Sequence, residues 1–294
     1  MRLVRPDFYD DFKCIADKCC HSCCIGWEID IDEDSFEYYM GLEGELGDDL
    51  RANISAEPEP HFCLCAGDRC PFLEKSGLCK LINNLGEDSL CQICSEHPRF
   101  YNYIEDREEA GLGLSCEEVV RLLLEGEGSL RLLTEGNDFD EDELIRFDIF
   151  KILSQDDKPM SQRFYDALDY FGEELSDHNL SKWAEFFLQL ERLDESWTEK
   201  LLALKNSSLE KVPESFLGLD RYVRLCQYFV YRHMLDADEY APMLEFCILA
   251  TEIIAALDYV CGFDPEHTRL FSSEIEYSDE NIPLIIEELG RKER

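Results

Sequence analysis

Five cysteines stand within eleven residues, Cys14-Ile-Ala-Asp-Lys-Cys19-Cys20-His-Ser-Cys23-Cys24, and the run closes on Ile-Gly26-Trp27. Thiolates are soft donors that hold zinc in tetrahedral sites of four or bind the irons of an iron–sulfur cluster. Either task needs sulfurs converging from separate loops. Such loops are available, because Cys63, Cys65, Cys70, Cys79, Cys91, Cys94 and Cys116 follow, whereas the rest of the chain carries only Cys226, Cys247 and Cys261. Sulfur chemistry therefore belongs to the first 120 residues or so.

A disulfide framework fits these cysteines poorly. Their total of 15 is odd, and the adjacent pairs Cys19-Cys20 and Cys23-Cys24 are awkward disulfide partners. The opening residues hold Arg2 and Arg5 but no apolar run, so no secretory leader is expected and the reducing cytoplasm is the expected compartment. Dense cysteine there signals metal or redox chemistry. Spacing alone leaves zinc and iron both open. An ordinary zinc ribbon is obscured, since Cys20-x2-Cys23 and Cys91-x2-Cys94 compete with too many neighbouring thiols. The C-x3-C-x2-C signature of radical enzymes is broken by Gly26, although Cys19 and Cys23 are correctly spaced.

The elements that must position these thiols are short. Asp32 is placed to cap a helix opening at Glu33, with acidic residues suited to the positive end of the helix dipole. A second short helix is expected over 46–54, then a loop through Pro58 and Pro60. The segments 61–65 and 78–82 read as two short strands, and a helix is expected to begin within 85–94. Ser115 is expected to cap a helix whose face carries Cys116, Val119, Val120, Leu123 and Leu124. The polar run 134–143 reads as the boundary between a cysteine-rich domain, 1–130, and a helical one, 138–294. In the latter, apolar residues recur at helical spacing over 144–153, 164–175, 180–193, 197–204, 216–235 and 243–261. Pro213, Pro242 and Pro265 fall at helix starts. Cys226, Cys247 and Cys261 on these helices read as small core residues, as do Tyr222, Tyr228, Phe229 and Tyr231. The fold class is thus mainly α: a cysteine-rich metal-binding domain with a few short strands, followed by an all-α domain.

The formal net charge is -38, with 11 Lys+Arg against 27 Asp+Glu in residues 1–124 and 17 against 39 beyond. No basic face is available to neutralise phosphates, which argues against nucleic acid and anionic lipid as partners and in favour of cationic ones. The longest apolar stretch, 246–257, is interrupted by Thr251 and Glu252 and falls short of the ~18–20 residues a membrane-spanning helix needs. A buried helix is the expectation, and no membrane partner.

The order Cys-x4-Cys-x3-Cys-Cys-x-Gly-Trp-x-Ile-Asp-Ile-Asp, then Cys-Pro-Phe-Leu and Gly-Leu-Cys, then Gly-Glu-x2-Leu, Cys-x3-Pro-Arg and Leu-Ser-Cys-x-Glu resembles the flagellin lysine-N-methylase (FliB) family. More distantly it is similar to cysteine-rich zinc- or iron-chelating domain proteins. The resemblance covers residues 1 to about 125. It implies methyl transfer from S-adenosyl-L-methionine to lysines of flagellin, or of another lysine-bearing protein, by a protein holding a [4Fe-4S] cluster, with zinc the alternative metal. Its cysteines fall on Cys14, Cys19, Cys23, Cys24, Cys70, Cys79, Cys94 and Cys116. Gly26, Trp27, Glu87, Pro98 and Arg99 occupy its neighbouring motif positions. Cys20, Cys63, Cys65 and Cys91 lie outside its pattern, and His97 stands where the family often has tyrosine. The glycines at Gly41, Gly44 and Gly47 lack the spacing of a dinucleotide fingerprint, so S-adenosyl-L-methionine would bind without one.

Residue by residue, Trp27 is suited to shielding the sulfur site, and Arg99 to neutralising a thiolate cluster or holding a carboxylate, with a plain structural salt bridge the alternative. His21 and His97, beside cysteines, suit ligation or a hydrogen bond to a thiolate. A lysine amine with its ordinary pKa of ~10.4 must lose a proton before it attacks a methyl carbon. Glu87 and Glu117, each inside a motif of the resemblance, are the candidate acceptors.

Overall fold

The computed structural model describes residues 2–104, 107–134, 136, 139–237 and 239–291. Its strands are β1 (Arg2–Pro6), β2 (Ile54–Ser55), β3 (His61–Phe62), β4 (Arg99–Ile104), β5 (Arg107–Leu112) and β6 (Leu132–Thr134). Short helices come first: α1 (Glu33–Gly41), α2 (Gly44–Ala52), α3 (Lys80–Leu85), α4 (Gln92–Glu96) and α5 (Glu117–Glu125). Then follow α6 (Glu141–Leu153), α7 (Met160–Asp169), α8 (Leu180–Phe187), α9 (Glu195–Ser207), α10 (Glu214–Leu217), α11 (Asp220–His233), α12 (Tyr240–Cys261), α13 (Pro265–Phe271) and α14 (Asn281–Arg291). The protein is mainly helical with a small mixed sheet. No helix among the described residues is long and apolar enough to cross a membrane.

The chain divides into two compact units. One comprises Lys13–Phe100 with Cys116–Glu118, and the other Met1–Phe12, Tyr101–Ser115 and Val119–Arg294.

The larger unit is built on α12, which is buried along most of its length and packs against α8, α9, α11, α13 and α14. A helix that is apolar all round is stable only in such a surround. The helices start where the sequence supplies caps. Asp140 and Glu143 form a capping box at α6, Asn179 caps α8, and Asp264 caps α13 ahead of Pro265 at its first turn. The four-stranded sheet of this unit has the order β4-β5-β1-β6, with β1 parallel to β5 and antiparallel to β6. Tyr231 of α11 ties into it, its hydroxyl donating to the carbonyls of Val4 and Ala110 at 3.0 Å each.

Beside the apolar Ala110 and Leu112, β5 buries two ionic side chains, Arg107 and Glu109. Glu109 receives both guanidinium nitrogens of Arg146 at 2.7 and 2.8 Å and Nε of Arg107 at 3.0 Å. Arg107 also pairs with Asp140, and Arg2 grips Glu143 at 2.7 and 2.5 Å. Three guanidinium groups thus face three carboxylates, and the desolvation cost of each is offset by its neighbours.

In the smaller unit, β2 and β3 pair antiparallel with Ile54 opposite Phe62. The core gathers Ile29, Ile31, Tyr39, Leu50, Phe62, Phe72 and Leu81 together with Cys70 and Cys91. Asp32 caps α1 as expected, accepting from the Ser35 amide at 2.9 Å.

Several expectations need correction. Residues 78–82 do not form a strand, because the chain enters α3 at Lys80; Leu81 then packs inward on the helix while Ile82 is exposed. The strand expected over 61–65 is confined to His61–Phe62. The segment 216–235 is two helices, parted at Gly218 and Leu219. Cys116, rather than Ser115, immediately precedes α5. Cys261 is exposed instead of buried, since it is the last residue of α12, where the helix has left the core.

Candidate functional site

The cysteine-rich run is folded by backbone geometry that its small residues allow. A single 3-10 turn, Ala16–Lys18, follows Cys14, and the Cys19 amide closes it on the Ala16 carbonyl at 3.1 Å. Gly26 sits at φ +95°, a conformation that other residues adopt only under strain. The turn there lets the Gly26 amide donate to Asp68 at 2.9 Å and the Cys70 amide donate to the Cys24 carbonyl at 2.8 Å. Cys24 and Cys70 are brought side by side in this way. Trp27 folds back so that its indole N–H donates to the Cys23 carbonyl at 2.6 Å, and its ring centroid lies 6.1 Å from that of His97.

Glu117, at the first turn of α5, holds the other end of the run. One carboxylate oxygen accepts the amides of Cys20 and His21 at 2.9 and 3.0 Å. These contacts bring Cys116, next to Glu117, up to the loop that carries Cys19 and Cys23. Glu117, one of the two candidate proton acceptors, is thus placed against this loop with Oε2 on its amides.

The remaining thiols come from later segments of the same unit. Leu73 bridges Cys79, and the Lys80 amide donates to the Phe72 carbonyl at 2.8 Å, which sets Cys79 just ahead of α3. Cys91 and Cys94 flank the first turn of α4. Asp32 fixes that turn, because its second carboxylate oxygen accepts the Gln92 amide at 2.7 Å while the first caps α1. Burial opposes the charge on Asp32, but these amides more than offset it and hold its carboxyl below the usual range. Cys24, Cys79, Cys94 and Trp27 pack against the core that contains Cys70 and Cys91.

All the cysteines are free thiols. Burial pushes the Cys70 and Cys19 thiols up to about 12, and raises Cys79 as well. Two pairs behave differently. The Cys23 and Cys24 thiols share a hydrogen bond that raises Cys23 and lowers Cys24 to about 6, with Ser22 and Arg69 also favouring the Cys24 thiolate. Cys91 and Cys94 form a second such pair, with Cys91 the more acidic and Cys94 held protonated. In each pair the neighbour's S–H favours the thiolate of Cys24 or Cys91, and the thiolate is the form that ligates a soft metal. Burial lowers the pKa of His97 by disfavouring its charged form.

The smaller unit thus holds Cys14, Cys19, Cys23, Cys24, Cys70, Cys79, Cys94 and Cys116. It also holds Cys91, which the resemblance left out and which is buried against Cys94; the Cys91-x2-Cys94 spacing was its signal in the sequence. Cys20, Cys63 and Cys65 are exposed. Trp27 and Arg99 are half-buried in the same unit, and Glu87 is exposed at a 3-10 turn, Glu87–Ser89. Ser22 and Arg69, which favour the Cys24 thiolate, carried no signal in the sequence. The donor chemistry fits a thiophilic metal. The side chains stand in pairs, and among the described residues no three His, Cys, Asp or Glu are arranged to hold a metal ion together.

No family model matches the chain, and no solved structure matches it significantly. It is 27% identical over 138 residues to the flagellar biosynthetic protein FliU of Salmonella muenchen, covering 44% of this chain and 81% of FliU. It is equally 27% identical over 138 residues to the lysine-N-methylases of Salmonella choleraesuis and Salmonella typhimurium, again 44% of this chain. The chain spans only 34% of the length of either lysine-N-methylase. It is thus a distant relative in sequence of FliU and the lysine-N-methylases, over somewhat less than half its length.

Proposed function

We propose that this chain acts in protein-lysine N-methylation, with S-adenosyl-L-methionine as methyl donor and flagellin as the protein substrate. The observation that carries the proposal is the similarity to two lysine-N-methylases and to FliU. The gathering of the motif cysteines into one compact unit supports it. In the reaction the lone pair of a neutral lysine amine forms a bond to the methyl carbon while the carbon–sulfur bond breaks. S-adenosyl-L-homocysteine leaves, and one proton is released from nitrogen.

The chain's residues have definable parts in this. The net charge of -38 raises the local concentration of cationic lysine side chains. Glu87, exposed beside the cysteine-bearing segments, is the accessible proton acceptor of the two candidates, while Glu117 orders the Cys19–Cys23 loop. Trp27 and Arg99 are the proposed cofactor contacts. The motif cysteines would hold a [4Fe-4S] cluster, with zinc the alternative; when bound, such a group would tie together the segments that carry these cysteines and so fix the unit's fold. Incubating anaerobically prepared protein with methyl-labelled S-adenosyl-L-methionine and flagellin tests the proposal. Label on lysine is the expected result, and its absence from protein that is folded and carries metal would reject it.

A second reading is a cysteine-rich iron–sulfur or zinc protein that serves redox or interaction roles without methyl transfer. It is favoured by the partial coverage of the lysine-N-methylases. Binding of S-adenosyl-L-methionine, measured by calorimetry, separates the two.

A further inference from the structure

In the larger unit, three aromatic rings meet where α7 ends and α12 begins. Tyr170 follows the last residue of α7, Phe171 comes next, and Tyr240 opens α12. The ring centroids of Tyr170 and Phe171 lie 5.1 Å apart and those of Phe171 and Tyr240 6.2 Å apart. Tyr170 is exposed, and Phe171 and Tyr240 are half-buried. Both hydroxyls are turned onto carboxylates of α6, with Tyr240 donating to Asp142 at 2.6 Å and Tyr170 to Asp148 at 3.3 Å. Glu141, also exposed on α6, acts on both phenols. Partial burial, Asp148 and Glu141 raise Tyr170, while burial, Asp142 and Glu141 push Tyr240 up to about 12 against the opposing pull of Arg107. Helical spacing puts the exposed Leu144 on one stripe with Glu141 and Asp148. These carboxylates have no cation of their own. Arg146 of α6 is spent on Glu109, and the fully buried Arg107 on Glu109 and Asp140. Among the described residues no lysine or arginine, the exposed Lys151 included, forms an ion pair with Glu141, Asp142 or Asp148.

Aromatic faces carry negative potential and attract a cation held within ~6 Å of the ring centre. A phenol that donates to a carboxylate gains electron density in its ring, so the two contacts to α6 both orient the tyrosines and strengthen their faces. An anionic partner would be repelled here, and a purely apolar one would strip water from three carboxylates without compensation. A lysine side chain answers both features, because its methylene stem covers ring surface while its ammonium meets the carboxylates. We propose that this face binds a lysine side chain of a partner protein, its stem against Tyr170, Phe171 and Tyr240 and its ammonium among Glu141, Asp142 and Asp148. The proposal deepens the proposed function by naming a surface that holds the lysine-bearing substrate, and it rests on that reading for the substrate's identity alone.

The test titrates the full chain by calorimetry, at one ionic strength, with an oligolysine peptide and with the same peptide acetylated on every side chain. The parent chain is expected to bind the first and not the second. Tyr170→Leu keeps an apolar side chain and removes the ring, so binding is expected to weaken about 2- to 5-fold. Asp148→Asn is expected to cost a similar factor, and the two together roughly 5- to 25-fold. Glu199→Gln removes the same charge from an exposed position on α9 and is expected to leave the affinity unchanged. Urea midpoints verify that each variant is folded, and Tyr240→Phe, which keeps its ring and loses only the Asp142 contact, supplies a conservative second variant expected to weaken binding about 2-fold. The proposal is overturned if the double variant binds oligolysine as the parent does, or if Glu199→Gln weakens binding as much as Asp148→Asn, which would mark general attraction to an acidic chain. Self-association of the parent that Tyr170→Leu abolishes would assign the face to a second copy and overturn it too. A chain that binds oligolysine here yet methylates no flagellin rejects the methyltransferase reading and leaves this one standing. Methylation with an unchanged KM for flagellin in the double variant does the reverse.

Discussion

Glu117 separates a positioning role from a catalytic one. Its Oε2 accepts the amides of Cys20 and His21 at 2.9 and 3.0 Å, both charge-assisted bonds in a half-buried setting. Hydrogen bonds to charged groups contribute ~1.5–3 kcal/mol each, and partial exposure places this pair toward the lower end, about 1.5–3 kcal/mol together. Glu117→Ala removes all of it and frees the loop bearing Cys19 and Cys23. If metal binding at those cysteines must restore the loop's order, affinity there falls by roughly 10- to 150-fold at ~1.4 kcal/mol per tenfold. Glu117→Gln keeps a carbonyl acceptor in place and loses only the charge, so about half the effect is expected. Chelator competition on anaerobically prepared protein reads the affinity, and the rate of thiol labelling at Cys19 and Cys23 reads the loop directly. Unchanged labelling in Glu117→Ala would refute the positioning role. A Glu117→Gln chain that retains its metal yet loses all methyl transfer would return Glu117 to the role of proton acceptor.

Gly26→Ala places an L side chain at φ +95°, costs ~1–2 kcal/mol and loosens the Cys24–Cys70 juxtaposition, measurable as a lower denaturation midpoint. Glu109→Ala leaves the buried Arg146 without its carboxylate, so a loss of ~3–5 kcal/mol is expected by urea unfolding; a loss under ~1 kcal/mol would show that water reaches the network. Burial disfavours the charged form of His178, but Glu252 at 2.6 Å and Glu245 at 3.3 Å more than offset this and raise it to about 9. Its folded pKa lies above the unfolded 6.5, so its contribution is full below pH 6.5 and is lost as pH rises through about 9. The stability of His178→Gln is therefore expected to vary less between those limits, and an unchanged pH profile would contradict the assignment.

What was legible in the sequence was local. The Asp32 cap needs only a carboxylate ahead of a helix, and Pro265 announces α13 by its fixed φ. The strand β5 was illegible because Arg-Glu-Glu-Ala-Gly-Leu reads as a polar surface segment. Its Arg107 and Glu109 are buried only because Arg146, Asp140 and Glu143 arrive from α6 and its approach. β1 likewise gives no local signal, since its partner β5 lies about a hundred residues along the chain. Helix α14 lies beyond the last helix expected from the sequence, 243–261, and carries Pro283 in its first turn, a position that tolerates proline. At the candidate site, cysteine spacing singled out the thiols but could not sort them. Which thiol pairs with which depends on the turn at Gly26, the Glu117 contacts and the second use of Asp32, all set by residues distant in sequence.

The most direct test of the account is mass spectrometry of flagellin from the same organism after incubation with anaerobically prepared protein and S-adenosyl-L-methionine, alongside a Cys70→Ser chain. The account predicts mass increments of single methyl groups on lysine with the parent chain, and their loss together with bound metal in Cys70→Ser. Unmodified flagellin from a parent chain that is folded, carries metal and binds S-adenosyl-L-methionine would contradict it, as would equal methylation by a Cys70→Ser chain devoid of metal.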